Sequence, residues 1–274
     1  MKKLKMFSIT LNPKHLSLIK KMDYLPVGLG NDNFSDEWYQ DKSLLNIFSK
    51  NPYYGEYTFH YWLWKNNKIE FNNQEWIGFC QYRKFWKKDH FESIEPSSFN
   101  ELNSLVLKSI SSNLCNFDSI LGDNFYVIQL RLSKFIKHNF GTIISNPSLL
   151  FNKHKRTIKF HFDMMHGKGN LDKAIEVLNQ NDREDFRDFV NKEVSFNPHN
   201  MFICKNSKIL YSYYESVFPW LFNCEKIFGF KNLKGFGLQR IYGFLAERFM
   251  SFWFKKYTKH TTLPILFKDL NEFL

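Results

Sequence analysis

Few glycines and prolines, four cysteines and no long apolar run set the first limits on this sequence. Only 12 Gly and 8 Pro stand among 274 residues, which excludes collagen-like and low-complexity chains. Cys80, Cys115, Cys204 and Cys224 form neither a C-x-x-C pair nor a Cys/His ladder. They read as reduced core thiols, not as a zinc site or a disulfide frame. No stretch approaches the roughly 20 apolar residues of a membrane span. Met1-Lys2-Lys3-Leu4-Lys5 carries the charge of a secretory leader, but Asn12, Pro13, Lys14 and His15 cut its apolar stretch short. A P-loop, a G-x-G-x-x-G, an H-E-x-x-H and a G-x-S-x-G are all missing. So is a D-x-D, since Asp32 and Asp36 do not form one. Acids are the scarce charge: 27 against 38 Lys and Arg, a net +11. Such a field attracts nucleic acid, an anionic membrane surface or phosphorylated small molecules.

Aromatic residues are what the chain has in excess, 19% of it with 31 Phe, and this much bulky apolar content excludes disorder. Residues 6–11 (MFSITL) read as a short buried strand closed by Asn12-Pro13, and residues 23–35 as turns. Pro52, a favoured first-turn residue, opens a predicted helix to Lys65, with Tyr54, Tyr57, Tyr61 and Trp64 along one face. Residues 76–80 (WIGFC) suit a buried parallel strand. The segment 87–115 reads as helical or irregular, and 119–122 and 126–130 as short strands. Asn170 caps a helix over the pattern LDKAIEVLNQ; 183–192 is a second helix, 201–204 a strand, and 207–227 and 238–256 long helices. Strand, helix, strand predicts an α/β sheet. No repeat or Pro/Ser linker divides residues 1–274, which read as one domain.

Chemistry has four candidate places. The strand ending at Cys80 runs into Tyr82, Arg83, Lys84, Lys87 and Lys88, and ligands of open α/β sheets bind outside the carboxyl ends of strands. Arg can grip a phosphate there in a bidentate pair, although a solvated basic loop fits the same pattern. Asn51-Pro52 opens a helix whose first turn holds Glu56, where its charge suits the helix dipole. Asn197, His199 and Asn200 precede a strand and can bond sugar hydroxyls or close a turn, and His166 is a lone histidine. Gln239 and Arg240 are followed by Glu247, two turns on, so Arg240 and Glu247 either face one cleft or stabilise the helix.

Several segments in order resemble a known family: residues 46–58 (NIFSKNPYYGEYT), 61–66 (YWLWKN), 77–85 (IGFCQYRKF), 162–166 (FDMMH) with Leu171-Asp172, 199–203 (HNMFI) and 239–248 (QRIYGFLAER). They are similar to a bacterial family long catalogued as a domain of unknown function and now regarded as glycosyltransferase. It occurs in capsule, exopolysaccharide and O-antigen gene clusters, and has a galactofuranosyltransferase branch. The matches run from about residue 6 to 267. The family usually carries His where Gln81 stands, a small apolar residue or Cys at Gly55, and Leu at Tyr57.

The resemblance implies a GT-A-like α/β fold, a mostly parallel sheet flanked by helices with a helical C-terminal part. It implies transfer of a hexose or furanose from a nucleotide-diphosphate sugar, UDP-linked, to a hydroxyl of a capsular or lipid-linked polysaccharide. On that reading Asn51, Tyr82, Arg83, Lys84 and Arg240 bind the donor, with arginines meeting the leaving diphosphate in place of a D-x-D metal. Glu247, Glu56 or His166 serves in catalysis, and Asn197, His199, Asn200 and Gln239 bind sugar hydroxyls. No cofactor is expected; a divalent ion is the alternative. The expected location is cytoplasmic, at the inner face of the membrane. Lys2, Lys3, Lys5, Lys14, Lys20 and Lys21, with no acid before Asp23, would face anionic lipid there. Two other readings stay open: a basic nucleic-acid-binding module, and a non-catalytic membrane-associated component of polysaccharide assembly.

Overall fold

Alternating side chains in the first ten residues build the middle of the sheet. The computed structural model describes residues 1–69, 75–89, 95–127 and 156–274. Strand β1 (Lys2–Thr10) leads through helix α1 (Leu16–Lys21) to β2 (Leu25–Gly28), parallel beside it. Helices α2 (Asn51–Tyr54) and α3 (Tyr57–Lys65) then carry the chain to β3 (Trp76–Gln81), parallel on the other side of β1. Successive residues of a strand point to opposite faces. Leu4 and Met6 therefore join Leu18 and Ile19 of α1 in one core cluster. Phe7 and Ile9 join Phe59 and Leu63 of α3 in the other. Each such side chain contributes about 1.5–3 kcal/mol on full burial.

Beyond β3 the chain adds β4 (Lys84–Trp86), α4 (Phe99–Leu105), β5 (Ser109–Ile110), β6 (Ser119–Gly122) and β7 (Phe125–Tyr126). The expected strand over 126–130 coincides with β7 only at Tyr126; residues 128–130 lie outside the described residues. A helical stretch follows: α5 (Ile158–His166), α6 (Asn170–Glu176) and α7 (Gln180–Lys192), then β8 (Ser195–Phe196) and β9 (Phe202–Cys204). Helices α8 (Ser207–Phe228), α9 (Phe236–Gln239) and α10 (Ile241–Tyr257), with β10 (His260–Leu263) and β11 (Ile265–Phe267), complete it. Six strands of the main sheet run β10-β6-β9-β3-β1-β2, parallel except at β9, which is antiparallel to both neighbours, and β4, β5 and β11 add antiparallel pairs at its margins. Asn179 and Asn206 start α7 and α8 by accepting the N–H of Asp182 and Ile209, satisfying donors that a helix start leaves free.

The single helix expected from Pro52 to Lys65 is two. Gly55, at φ +58°, separates α2 from α3, a conformation that costs glycine little. A Cβ there would stand 2.3 Å from Arg240 Nη2. The helix expected over 238–256 is likewise broken: α9 ends at Gln239 and α10 begins at Ile241, with Arg240 between them. The aromatic stripe is core. Tyr54 and Tyr57 are buried, and Trp64 stacks on Phe218 of α8 at 5.4 Å. Cys80, Cys204 and Cys224 are buried free thiols, and burial pushes Cys80 up to about 12.

Charge is more locally balanced than the sequence suggests. Lys3 and Lys5 both pair with Glu75, and Lys20 with Glu37, so half of the N-terminal lysine run has an acid partner. Among the described residues no helix is long and apolar enough to cross a membrane.

Gly78 is closely packed in the sheet, between β1 and β9. An added Cβ would meet Met6 Cε at 2.9 Å and Ile203 Cγ1 at 3.0 Å. Gly78→Val is expected to lower unfolding free energy by about 1–3 kcal/mol, as overpacking does. Urea denaturation checks this; an unchanged midpoint would show that the two strands have room to part.

Candidate active site

The chain leaves β1 for β2 on one side and returns to β3 on the other, so the carboxyl ends of β1 and β3 flank a topological switch point. Open α/β sheets leave a crevice there. A cleft of about 450 Å³ occupies it, lined by Thr10 at the end of β1 with Leu11 beyond it, and by Gln81 at the end of β3 with Tyr82, Arg83 and Lys84 beyond it. Asn51, Gly55 and Glu56 enter from the α2–α3 break, and His199 and Asn200 from the turn before β9. Phe236, Arg240, Phe244 and Glu247 close it from α9 and α10.

Two carboxylates stand inside, each side chain only 12% exposed. Glu56 Oε1 accepts from Gln81 Nε2 at 3.2 Å and from Asn200 Nδ2 at 3.0 Å. Its Oε2 lies 3.5 Å from Arg240 Nη2. Glu247 Oε1 accepts the His199 backbone N–H at 2.6 Å, and Oε2 pairs with the buried guanidinium of Arg248. Gln81 links the two halves, because its Nε2 also donates to His199 O at 3.1 Å while Lys84 Nζ donates to its Oε1 at 3.3 Å.

Cations face them. Burial pulls Lys84 below the usual lysine range, opposed by the charges of Glu56 and Glu247. Arg83, 57% exposed, lies 4.8 Å over the Tyr82 ring and donates through Nε to Asp269 at 2.6 Å. Among the described residues no three His, Cys, Asp or Glu side chains group to hold a metal ion.

The turn carrying His199 and Asn200 is strained. Both have left-handed backbones, φ +77° and +53°, at a cost of about 1–3 kcal/mol each. Glu247, Gln81 and Glu56 hold it, together with Asn200 Nδ2 donating to Gly243 O at 3.3 Å. Asn200 Oδ1 is buried without a partner among the described residues.

Of the residues singled out from sequence, Asn51, Glu56, Tyr82, Arg83, Lys84, His199, Asn200, Arg240 and Glu247 come together in this cleft. Asn51 also donates to Gly55 O and Thr58 Oγ1, fixing the helix break. Three residues lie elsewhere. Asn197 is wholly buried, bonded to Gly122 O and Ser251, so its amide joins strands instead of meeting solvent. Gln239 is exposed and does not line the cleft. His166 backs a neighbouring cavity, bonded to Gly237 O at 2.9 Å and stacked 4.0 Å from Phe244. Of the basic run after β3, Lys87 is buried and Lys88 does not reach the cleft. Gln81, Phe236, Phe244 and Asp269 were not singled out as site residues. Gln81 alone had a local signal, as the residue directly after the strand expected to end at Cys80.

Burial pushes His60, His166 and His199 down to about 3, with Arg248 adding to the effect at His166 and Lys84 at His199. The unfolded chain takes up these protons below its ordinary value of 6.5 while the fold refuses them. Stability therefore falls as pH drops from about 7 toward 4 and returns as pH rises. The thermal midpoint is expected to be lower at pH 5 than at pH 7, with these three rings showing no NMR titration between. A ring among them titrating near 6.5 would contradict the burial.

No curated protein matches the chain. A solved structure does: the apo structure of the WbbM bifunctional glycosyltransferase, with TM-score 0.59 and 19% identity over 97% of this chain and 45% of that one. The chain thus spans under half the length of that enzyme, and what the two share is the fold, an α/β sheet flanked by helices of GT-A-like kind. Residues 9–259 match the family model described as Domain of unknown function (DUF4422), and the chain belongs to that family.

Proposed function

We propose that the chain is a glycosyltransferase moving a hexose or furanose from a nucleotide-diphosphate sugar, UDP-linked, to a hydroxyl of a surface polysaccharide or its lipid-linked precursor. One observation carries this reading. Lys84 and Arg240 share a switch-point cleft with two nearly buried carboxylates, with Arg83 at its edge. Where such folds carry a D-x-D, Tyr82-Arg83-Lys84 follow β3, a cationic donor set that does not suit a metal ion. Fixed positive groups at a leaving diphosphate stabilise developing charge as a metal would.

The transfer is a displacement. The acceptor O–H gives its proton to Glu247 while its oxygen bonds to the anomeric carbon. The bond from that carbon to the phosphate oxygen breaks, and the diphosphate leaves with the electron pair toward Arg240, Lys84 and Arg83. Glu247 is the base because the His199 N–H and Arg248 fix both of its oxygens in place. Glu56 holds Arg240 and Asn200 in register. The likeness to a glycosyltransferase fold supports the reading, as does the basic net charge.

Two experiments test it. A panel of sugar nucleotides in excess chelator should stabilise the protein thermally and be slowly hydrolysed, a uridine diphosphate sugar most. Stabilisation by none, or activity restored only by manganese or magnesium, would overturn the arginine mechanism. Glu247→Gln should lower kcat about 10²–10⁴-fold with little change in donor affinity, as loss of a general base does. Near-normal turnover in a folded Gln variant would move the base elsewhere.

A further inference from the structure

Glu247 stands in a wall between two cavities. The second, about 470 Å³, is as large as the first and shares His199, Phe236, Phe244 and Glu247 with it. Its chemistry differs. Among the described residues its own walls are apolar: Phe125, Phe196, Met164, Met165 and Pro198. Its one strong cation, Arg248, is 2% exposed and already engaged by Glu247, by His161 Nδ1 at 3.1 Å from Nη2, and by the Phe196 ring at 4.2 Å. His161 and His166 are kept uncharged by burial. A phosphate would find no exposed cation on these walls, since Arg248 is buried and its one unpaired nitrogen, Nε, is out of reach of solvent. A sugar ring suits them, because its C–H face can lie on aromatic side chains while its hydroxyl edge reaches Glu247. Phe236, 70% exposed, and Met165, 46% exposed, continue the apolar wall to the surface.

We infer that this second cavity seats the acceptor as a glycoside. Its attacked hydroxyl meets Glu247 through the shared wall, and its C–H face and apolar aglycone lie against Phe196, Phe244 and Met165. The inference rests on the transferase reading above and adds the place and class of the second substrate. It also gives Glu247 its reason for standing where it does: the proton it accepts comes from one cavity and the bond it helps to break lies in the other.

The test is direct binding, which needs no turnover. Phenyl and hexyl β-D-hexopyranosides, with the free hexoses beside them, are titrated into the full chain by ligand-observed NMR, and uridine diphosphate in parallel. Met164→Trp and Met165→Trp fill the second cavity from α5 without lining the first. Expected are glycoside binding stronger than that of the free hexoses and a loss of about tenfold or more in at least one filled variant, a change of about 1.4 kcal/mol. Retained uridine diphosphate binding shows that the variant is folded. Glycoside affinity unchanged in both variants, or no glycoside binding by the native chain at millimolar concentration, would overturn the assignment. The uridine diphosphate arm reports on the donor reading and the glycoside arm on this one, so the two fail separately.

Discussion

Two carboxylates largely withdrawn from solvent in one cleft set the constraint on which the site depends. A charged oxygen withdrawn from water must be bonded or paired, or the fold loses several kcal/mol. Glu56 answers this with two side-chain amides and Arg240, and Glu247 with a backbone N–H and Arg248. Those partners come from four places in the chain: the end of β3, the turn before β9, the α9–α10 break and α10. The strained turn at His199 and Asn200 supplies a donor to each carboxylate, and this is why its cost is tolerated. The break at Gly55 has the same origin, since a side chain there would occupy the space of the guanidinium that pairs with Glu56.

The sheet explains why these segments meet. β1 faces a parallel neighbour on each side, and the chain reaches them by helices on opposite faces. The crevice between the carboxyl ends of β1 and β3 follows from that winding. Antiparallel β9 brings its preceding turn to the same edge, and α10 lies across the top with Glu247 inward. Positive groups then stand on one side of the cleft and an apolar second cavity on the other. A reaction between a charged donor and a largely uncharged acceptor fits that polarity.

The winding was legible in the sequence because strands and helices announce themselves locally. Alternation at residues 6–11 and an apolar run at 76–80 need no distant partner; Asn170, expected to cap α6, is instead its first residue, and left-handed Gly169 precedes it as the cap. Much of the cleft was legible too, since strand ends and turns are where such folds place chemistry. What stayed hidden depends on contacts far apart in the chain. Arg83 meets Asp269 across 186 residues, Lys3 and Lys5 find Glu75, and Gly55 is explained by Arg240. Asn197 looked like its neighbours His199 and Asn200, yet its amide bonds Gly122 and Ser251 in the core while they line the cleft. The second cavity had no signal at all, being assembled from α5, β7, β8 and α10.

The central claim is that the switch-point cleft receives the diphosphate of a nucleotide sugar on its arginine and lysine side chains. A crystal structure of the full chain with uridine diphosphate tests it most directly. The account expects phosphate oxygens within hydrogen-bond distance of Arg240 and of Lys84 or Arg83, with the uridine toward Thr10 and Leu11. A diphosphate bound outside this cleft, or inside it but away from all three cations, would contradict the account.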